Sequence, residues 1–318
     1  MQHDEREEAS SSVDRASIDF VLVNPAAGGG RAGEILPGLR NFAQEQNWRV
    51  EFCITNSPED LAAKARLAAN KGHRRLFVLG GDGTFQVLLN ALADDPNVVL
   101  GIIPAGGGND LAAALRLPVD PLRAVSHLLL HGEVCRVDAV RVRTADGRER
   151  LYTGGGGVGI DAEASRYASG VYRNLNGRAR YLLSALRALC GFHSFTANVS
   201  LGPNEFRRLK VRALLVAVLN TPSYGAGVYL APDAQMTDGE LNLVILEDRS
   251  ILKTLRLLPS LWSRGELHTD HVQRFRVTCA RIETAQPCRF HGDGDILGMP
   301  PVEISVVPRA FSILRGSV

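Results

Sequence analysis

The chain has no Cys-x-x-Cys pair, and its five cysteines, Cys53, Cys135, Cys190, Cys279 and Cys288, lie far apart. This excludes a zinc ribbon or a disulfide framework and suits reduced thiols in a cytoplasmic protein. Aromatic residues are few, at 6%. Neither sign of charge dominates: 36 Lys and Arg against 34 Asp and Glu leave a net charge of +2. A nucleic-acid partner, which calls for basic patches and aromatic platforms, is not indicated. No apolar stretch follows the polar N-terminus, so no signal peptide is read, and residues 1–17 are expected to be a disordered tail. The longest uncharged run, 213–232, has the length of a membrane span. Asn220, Pro222, Gly225 and Gly227 interrupt it, and a strand followed by a loop fits better than a transmembrane helix.

What the sequence does have is glycine, 32 residues of it, concentrated in turns. Leu76-Phe77-Val78-Leu79 reads as a strand and runs into Gly80-Gly81-Asp82-Gly83-Thr84. The run Val98–Ile103 leads in the same way into Pro104-Ala105-Gly106-Gly107-Gly108-Asn109-Asp110. An apolar, helix-like stretch follows each turn. Strand, glycine turn, helix brings bare backbone N–H groups against a polyphosphate. Neither turn is a Walker loop, because no Lys-Ser/Thr follows, and neither fits G-x-G-x-x-G with an acid some 20 residues on.

Asp82 is unexpected beside phosphate. A carboxylate there is repelled unless it holds magnesium or a magnesium-bound water. Thr84 can offer its hydroxyl to phosphate or cap the next helix. A plain structural reading makes the first turn a tight bend. For the second turn it makes Asn109 or Asp110 an N-cap.

The first 135 residues alternate strand and helix. Strands are expected over 18–23, 49–54, 76–79 and 98–103, and Ser57 with Pro58 and Asp60 starts a helix. This predicts a mostly parallel sheet with helices on both faces, in which ligands sit beyond the carboxyl ends of the strands. After Val134 the texture becomes antiparallel. A hairpin at Ala145-Asp146-Gly147 and strands over 197–201, 211–219, 241–246, 273–278, 281–284 and 302–307 predict a β-sandwich. Helical insertions are expected over 172–189 and 251–264. The division expected is a tail at 1–17, an α/β domain at 18–138, a β-sandwich at 139–305, and a closing strand at 306–318 that can return to the first domain.

Taken in order, Asn24-Pro25 with its glycine loop, GGDGT at 80–84 and PAGGGND at 104–110 resemble the diacylglycerol kinase catalytic family. That family includes soluble bacterial lipid kinases and sphingosine kinases. Gly154–Asp161 (GGGGVGID), Pro222–Gly227, the stretch from Ala231 to Gly239, Asp293-Gly294-Asp295 and Val306–Ala310 extend the resemblance over about 18–315. It implies an ATP- and Mg2+-dependent lipid kinase, with a lipid substrate such as diacylglycerol met at a membrane surface. ATP would contact Asn24, Pro25, Thr55, Gly80, Gly81, Asp82, Gly83, Thr84, Gly106, Gly107, Asn109 and Asp110. A structural divalent ion would be held by Asp238 and the carbonyls of Gln235 and Glu240, where the plain reading of Asp238-Gly239 is a β-turn. The general base would be Asp293, with Asp295 as runner-up. Asp295 stands where the family has Glu, and Gly107 where bacterial members commonly have Thr.

Arg166, Arg173, Arg178, Arg180 and Arg187 mingle with Tyr167, Tyr172, Tyr181, Leu182, Leu183 and Leu186. Such a segment suits an anionic lipid surface, or else a solvated helix face on a leucine stripe. Leu258, Leu261 and Trp262 offer a second surface or a piece of core. His291 is the one histidine near the proposed chemistry and reads as structural. An NAD kinase-like enzyme shares GGDGT and the general plan, and a nucleotide-binding regulator that has lost catalysis is the other alternative. The oligomeric state stays open, a homodimer included.

Overall fold

The structure, a computed structural model, describes residues 18–317 apart from 173–174, 176, 204–206, 226 and 249–270. The expected tail, the helix over 251–264, and Leu258, Leu261 and Trp262 lie outside the described residues. So do Ala226, Arg173 and the side chains of Arg178 and Tyr181.

The first half alternates as expected: β1 (Asp19–Val23), α1 (Arg31–Glu45), β2 (Val50–Ile54), α2 (Pro58–Asn70), β3 (Arg75–Gly80), α3 (Asp82–Ala91), β4 (Val99–Pro104), α4 (Asp110–Ala114) and α5 (Pro121–His131). The strands pair in parallel in the order β2-β1-β3-β4. Successive residues of β1 and β3, such as Val21-Leu22-Val23 and Leu76–Leu79, are fully buried. Successive side chains point to opposite faces, so both faces of the sheet are covered. Helix starts follow local chemistry. Ser57 Oγ accepts from Asp60 N at 3.1 Å ahead of Pro58, and Asp120 Oδ1 accepts from Arg123 N at 2.9 Å ahead of Pro121.

The second half comprises β5 (Glu133–Thr144), β6 (Glu149–Tyr152), β7 (Gly155–Gly159), α6 (Ile160–Ser169), α7 (Gly177–Gly191), β8 (Phe195–Leu201), β9 (Arg207–Leu219), β10 (Ser223–Tyr224) and β11 (Val228–Tyr229). It continues with β12 (Leu241–Glu247), β13 (Val272–Val277), β14 (Cys279–Thr284), β15 (Phe290–Gly292), β16 (Asp295–Gly298) and β17 (Val302–Arg315). Its strand pairings with one another are antiparallel. The α/β unit with parallel strands followed by a β-sandwich-like unit is the architecture read from the sequence. Helix α6 was not anticipated, because its first residues belong to the glycine motif that ends at Asp161.

Strand β17 joins the halves. Val302–Val307 pairs antiparallel with β5, and Val302–Ser305 also pairs with β14. After a register shift between Val307 and Phe311, Ser312 and Ile313 pair in parallel with Val99 and Leu100 of β4. The period of two along β9 sorts its residues between two environments. Val216 and Val218 enter the sandwich core with Leu243, Ile245, Phe195 and Phe290. Leu215, Ala217 and Leu219 face the other way, into a cluster with Leu230 and Val244.

Candidate active site

The turns after β1, β3 and β4 interlock backbone to backbone. A Cβ on Gly81 would sit 2.9 Å from Gly106 Cα, and one on Gly106 would sit 2.6 Å from Gly81 Cα. A Cβ on Gly28, whose φ is +65°, would strike the Ala105 carbonyl oxygen. These glycines are required by the fold itself, because no side chain fits between the turns. Gly83 differs: nothing lies within 4 Å of a Cβ placed there.

Side chains complete the frame. Asn24 Nδ2 donates to Thr84 Oγ1 at 3.1 Å, tying the β1 turn to α3. Asn109, in the left-handed region at φ +58°, accepts from Gly106 N at 2.9 Å and donates to Gly106 O at 3.0 Å. Its amide closes the second turn and does not cap α4. The N–H groups that open α4 are satisfied from α3: Asp82 accepts from Asp110 N at 3.2 Å and Leu111 N at 3.1 Å. Burial pushes the Asp82 carboxyl above its ordinary range, against the pull of these N–H donors.

From the other half comes Asp293, in the turn between β15 and β16 at φ +49°. Its Oδ2 accepts from Thr153 N at 3.0 Å, and its Oδ1 accepts from Gly154 N at 3.0 Å and Gly155 N at 3.1 Å. A Cβ on Gly154 would lie 2.6 Å from Asp293 Oδ1, so this cradle needs glycine. Burial, and then the negative charge of Asp82, outweigh the three N–H donors and push Asp293 up to about 7. Gln86 Nε2 donates to Gly292 O at 3.3 Å and so ties α3 to the end of β15, just before Asp293.

A cluster the motif reading did not assemble stands nearby. Asp161 Oδ2 lies 2.9 Å from His291 Nε2 and accepts from the Tyr224 hydroxyl at 3.0 Å, with the Tyr224 and His291 rings stacked at 5.9 Å. Burial, followed by Asp161, pushes the Tyr224 phenol well up. The signal was present as His291 two positions before Asp293, but its partners lie 67 and 130 residues away in the chain.

One cavity of about 360 Å³ joins these parts. Its wall includes Asn24, Gly81, Asp82, Gly83, Thr84, Gly106, Gly107 and Asp110, together with Asp161, His291 and Asp293. Another part of the same wall is apolar: Ile160, Leu189, Leu215, Leu230, Val244 and Leu246. Five residues expected at the site do not line it. Pro25 closes the first turn by accepting from Gly33 N at 3.2 Å. Thr55 is buried and donates its hydroxyl to Val23 O at 2.9 Å. Gly80 packs on Thr84, Asn109 serves its own turn, and Asp295 is exposed on β16.

The expected metal set at Gln235, Asp238 and Glu240 is arranged differently. Asp238 Oδ1 accepts from Glu240 N at 3.1 Å. Asp238 Oδ2 and Glu240 Oε2 each lie 2.6 Å from the Arg276 guanidinium. Among the described residues no group of three His, Cys, Asp or Glu side chains gathers as a metal site. In the structure the Asp238 carboxylate is paired with the half-exposed Arg276 guanidinium.

Among the described residues no helix is long and apolar enough to cross a membrane. Residues 20–142 match the diacylglycerol kinase catalytic domain, and 154–315 match the YegS C-terminal NAD kinase beta sandwich-like domain. The chain is 29% identical over 294 residues to a diacylglycerol kinase of Mycobacterium tuberculosis, covering 92% of this chain and 94% of that protein. It is 27% identical over 284 residues to a diacylglycerol kinase of Staphylococcus saprophyticus, covering 88% of this chain and 90% of that one. A solved structure of a diacylglycerol kinase from Bacillus anthracis shares the fold, with a TM-score of 0.68 at 19% identity over 94% of this chain and 97% of that one. With both halves matched in order, the chain belongs to the diacylglycerol kinase family and is a lipid kinase.

Proposed function

We propose that the protein transfers the γ-phosphoryl group of ATP to the hydroxyl of a diacylglycerol-like lipid, with Mg2+ as the accompanying ion. One observation carries this reading: a single cavity holds open glycine turns, an acid tuned to about 7, and an apolar wall. The triphosphate would lie on the N–H groups of Gly81–Thr84 and Gly106–Gly108, where the free space at Gly83 admits close approach. The acyl portion of the acceptor would lie along Leu215, Leu230 and Val244.

Asp293 is the proton acceptor in this scheme. Its N–H cradle fixes the carboxylate and leaves lone pairs on Oδ2 beyond the Thr153 bond. As the acceptor oxygen bonds to the γ-phosphorus and the bond to ADP breaks, the hydroxyl proton passes to Asp293. A pKa near 7 suits this work, since the group is ionised about half the time at neutral pH and still basic enough to take a proton.

The cavity wall carries four carboxylates, Asp82, Asp110, Asp161 and Asp293, against a single arginine, Arg180. That charge excess, with a triphosphate added, fits a divalent ion held through Asp82. When bound, the ion supplies neutralisation of the phosphate oxygens. Labelled ATP incubated with the protein and a total lipid extract is expected to yield a labelled phospholipid, identified by mass spectrometry. Label appearing in NADP from added NAD, with none in lipid, would reverse the assignment.

A further inference from the structure

Helix α3 opens on the glycine turn at Gly81–Thr84, and its later residues reach the other half of the molecule. There it holds both segments that frame Asp293. Gln86 Nε2 donates to the carbonyl of Gly292, the residue before Asp293, at 3.3 Å. One turn further on, the Asn90 side chain accepts from Leu151 N at 3.1 Å and donates to Leu151 O at 2.9 Å. The same Nδ2 also donates to Gln86 O at 2.9 Å.

Strand β6 pairs on one side only, with β5. On its other side Asn90 stands where a neighbouring strand would, taking both the N–H and the C=O of one residue. N–H groups two residues apart along extended chain point the same way, so the edge that Asn90 holds at Leu151 continues to Thr153. Thr153 N then donates to Asp293 Oδ2 at 3.0 Å.

Gln86 is 5% exposed, and its Oε1 is buried with no partner among the described residues. A buried amide with an acceptor left bare is less stable than an apolar side chain of the same size. Stability does not account for glutamine at this position; its reach to Gly292 does. The other end of α3 is fixed as well. Asp82 accepts from the N–H groups of Asp110 and Leu111, and Thr84 accepts from Asn24. One helix thus joins the glycine turns to the Asp293 carboxylate, over about 12 Å from residue 82 to residue 90.

We propose that Gln86 and Asn90 are positioning residues of the transfer reaction: through them α3 sets where the Asp293 carboxylate stands relative to the turn that opens the helix. The proposal rests on the lipid kinase reading for its purpose, but the framing of Asp293 is tested without turnover as well.

The variants are Gln86→Met, which keeps the volume and removes the bond, and Asn90→Ala. Each is made in the full chain and again on Asp293→Asn. With labelled ATP and a short-chain diacylglycerol, each single variant is expected to lower kcat about 10- to 100-fold, the scale of a small misplacement. ATP affinity in a titration should stay at the wild-type value, and KM for the lipid should change less than kcat. Thermal unfolding of Gln86→Met should come no earlier than that of wild type. Where Asn90→Ala lowers stability, Gln86→Met decides alone. On Asp293→Asn neither variant should lower kcat further, because both act through that carboxylate. In hydrogen exchange without substrate, the amides of Thr153, Gly154 and Gly155 should exchange about tenfold faster or more, with those of β1 and β3 unchanged. Unchanged kcat in Gln86→Met, a loss that persists in full on Asp293→Asn, or cradle amides protected as in wild type would each overturn the proposal. Absence of labelled lipid from wild type would overturn the kinase reading instead, and exchange of the cradle amides would still decide the positioning.

Discussion

The two parts of the cavity wall are made in opposite ways. The part from the α/β half is nearly bare backbone, with turns pressed so close that Gly81 and Gly106 exclude any side chain. The part from the β-sandwich half is side chain, the outward-facing row of β9 and β12 with Leu215, Val244 and Leu246. Bare N–H groups suit anionic oxygen, and a row of leucine and valine suits hydrocarbon. Asp293 is supplied by the second half but couples electrostatically to Asp82 of the first. On the proposed function, the α/β domain of parallel strands and the β-sandwich would each contribute one reactant's half of the site.

The largest effect is expected where the halves meet. Asp293→Asn should lower turnover by about 10²–10⁴-fold, the usual contribution of a general base, with ATP affinity retained in a titration. Near-normal turnover would remove Asp293 from its role. The amide would also face Thr153 N–H with a second donor, so unfolding should come about 1–3 kcal/mol earlier.

The backbone part should fail by losing its fold. Gly106→Ala places a methyl 2.6 Å from Gly81 Cα, and a loss of about 1–3 kcal/mol is expected in denaturant titration. Gly83→Ala should do the reverse, since no protein atom stands near. Stability should hold or rise by about 0.4–1 kcal/mol, while ATP affinity falls because the methyl occupies ligand space. If both alanine variants behaved alike, the distinction between glycines kept for the fold and glycines kept for a ligand would collapse.

The coupling between the halves is legible in pH. Because Asp293 must be ionised to take a proton, kcat/KM should rise with pH through a midpoint near 7. Asp82→Asn removes a charge that raises Asp293, so the midpoint should move down. Stability runs the other way. The native state holds the Asp293 proton more tightly than the unfolded chain, so this group's contribution is present below about 4 and is lost as pH rises to about 7. Asp293→Asn should flatten that slope.

Much of the first half was legible because its signals are local. Ser57-Pro58, the apolar strands and the glycine turns each announce themselves within a few residues. The sequence also placed Asp82 and Asp293 at one site through their motifs. What it could not show is how the turns are braced, because the braces span the chain: Asp82 reaches forward to the opening of α4, and Asp293 reaches back 140 residues to Thr153. Thr55 and Pro25 sit in the right loops, but Thr55 turns its hydroxyl inward and Pro25 spends its carbonyl on Gly33. The pairing of Asp238 with Arg276, 38 residues later, was likewise not readable from the turn alone.

The most direct measurement is a crystal structure of the protein soaked with a non-hydrolysable ATP analogue and a short-chain diacylglycerol. The account predicts the triphosphate on Gly81–Thr84 and Gly106–Gly108, the acyl chain against Leu215 and Val244, and the acceptor hydroxyl within hydrogen-bond reach of Asp293. A nucleotide bound away from the glycine turns, or a lipid hydroxyl out of reach of Asp293 with both ligands in place, would contradict it.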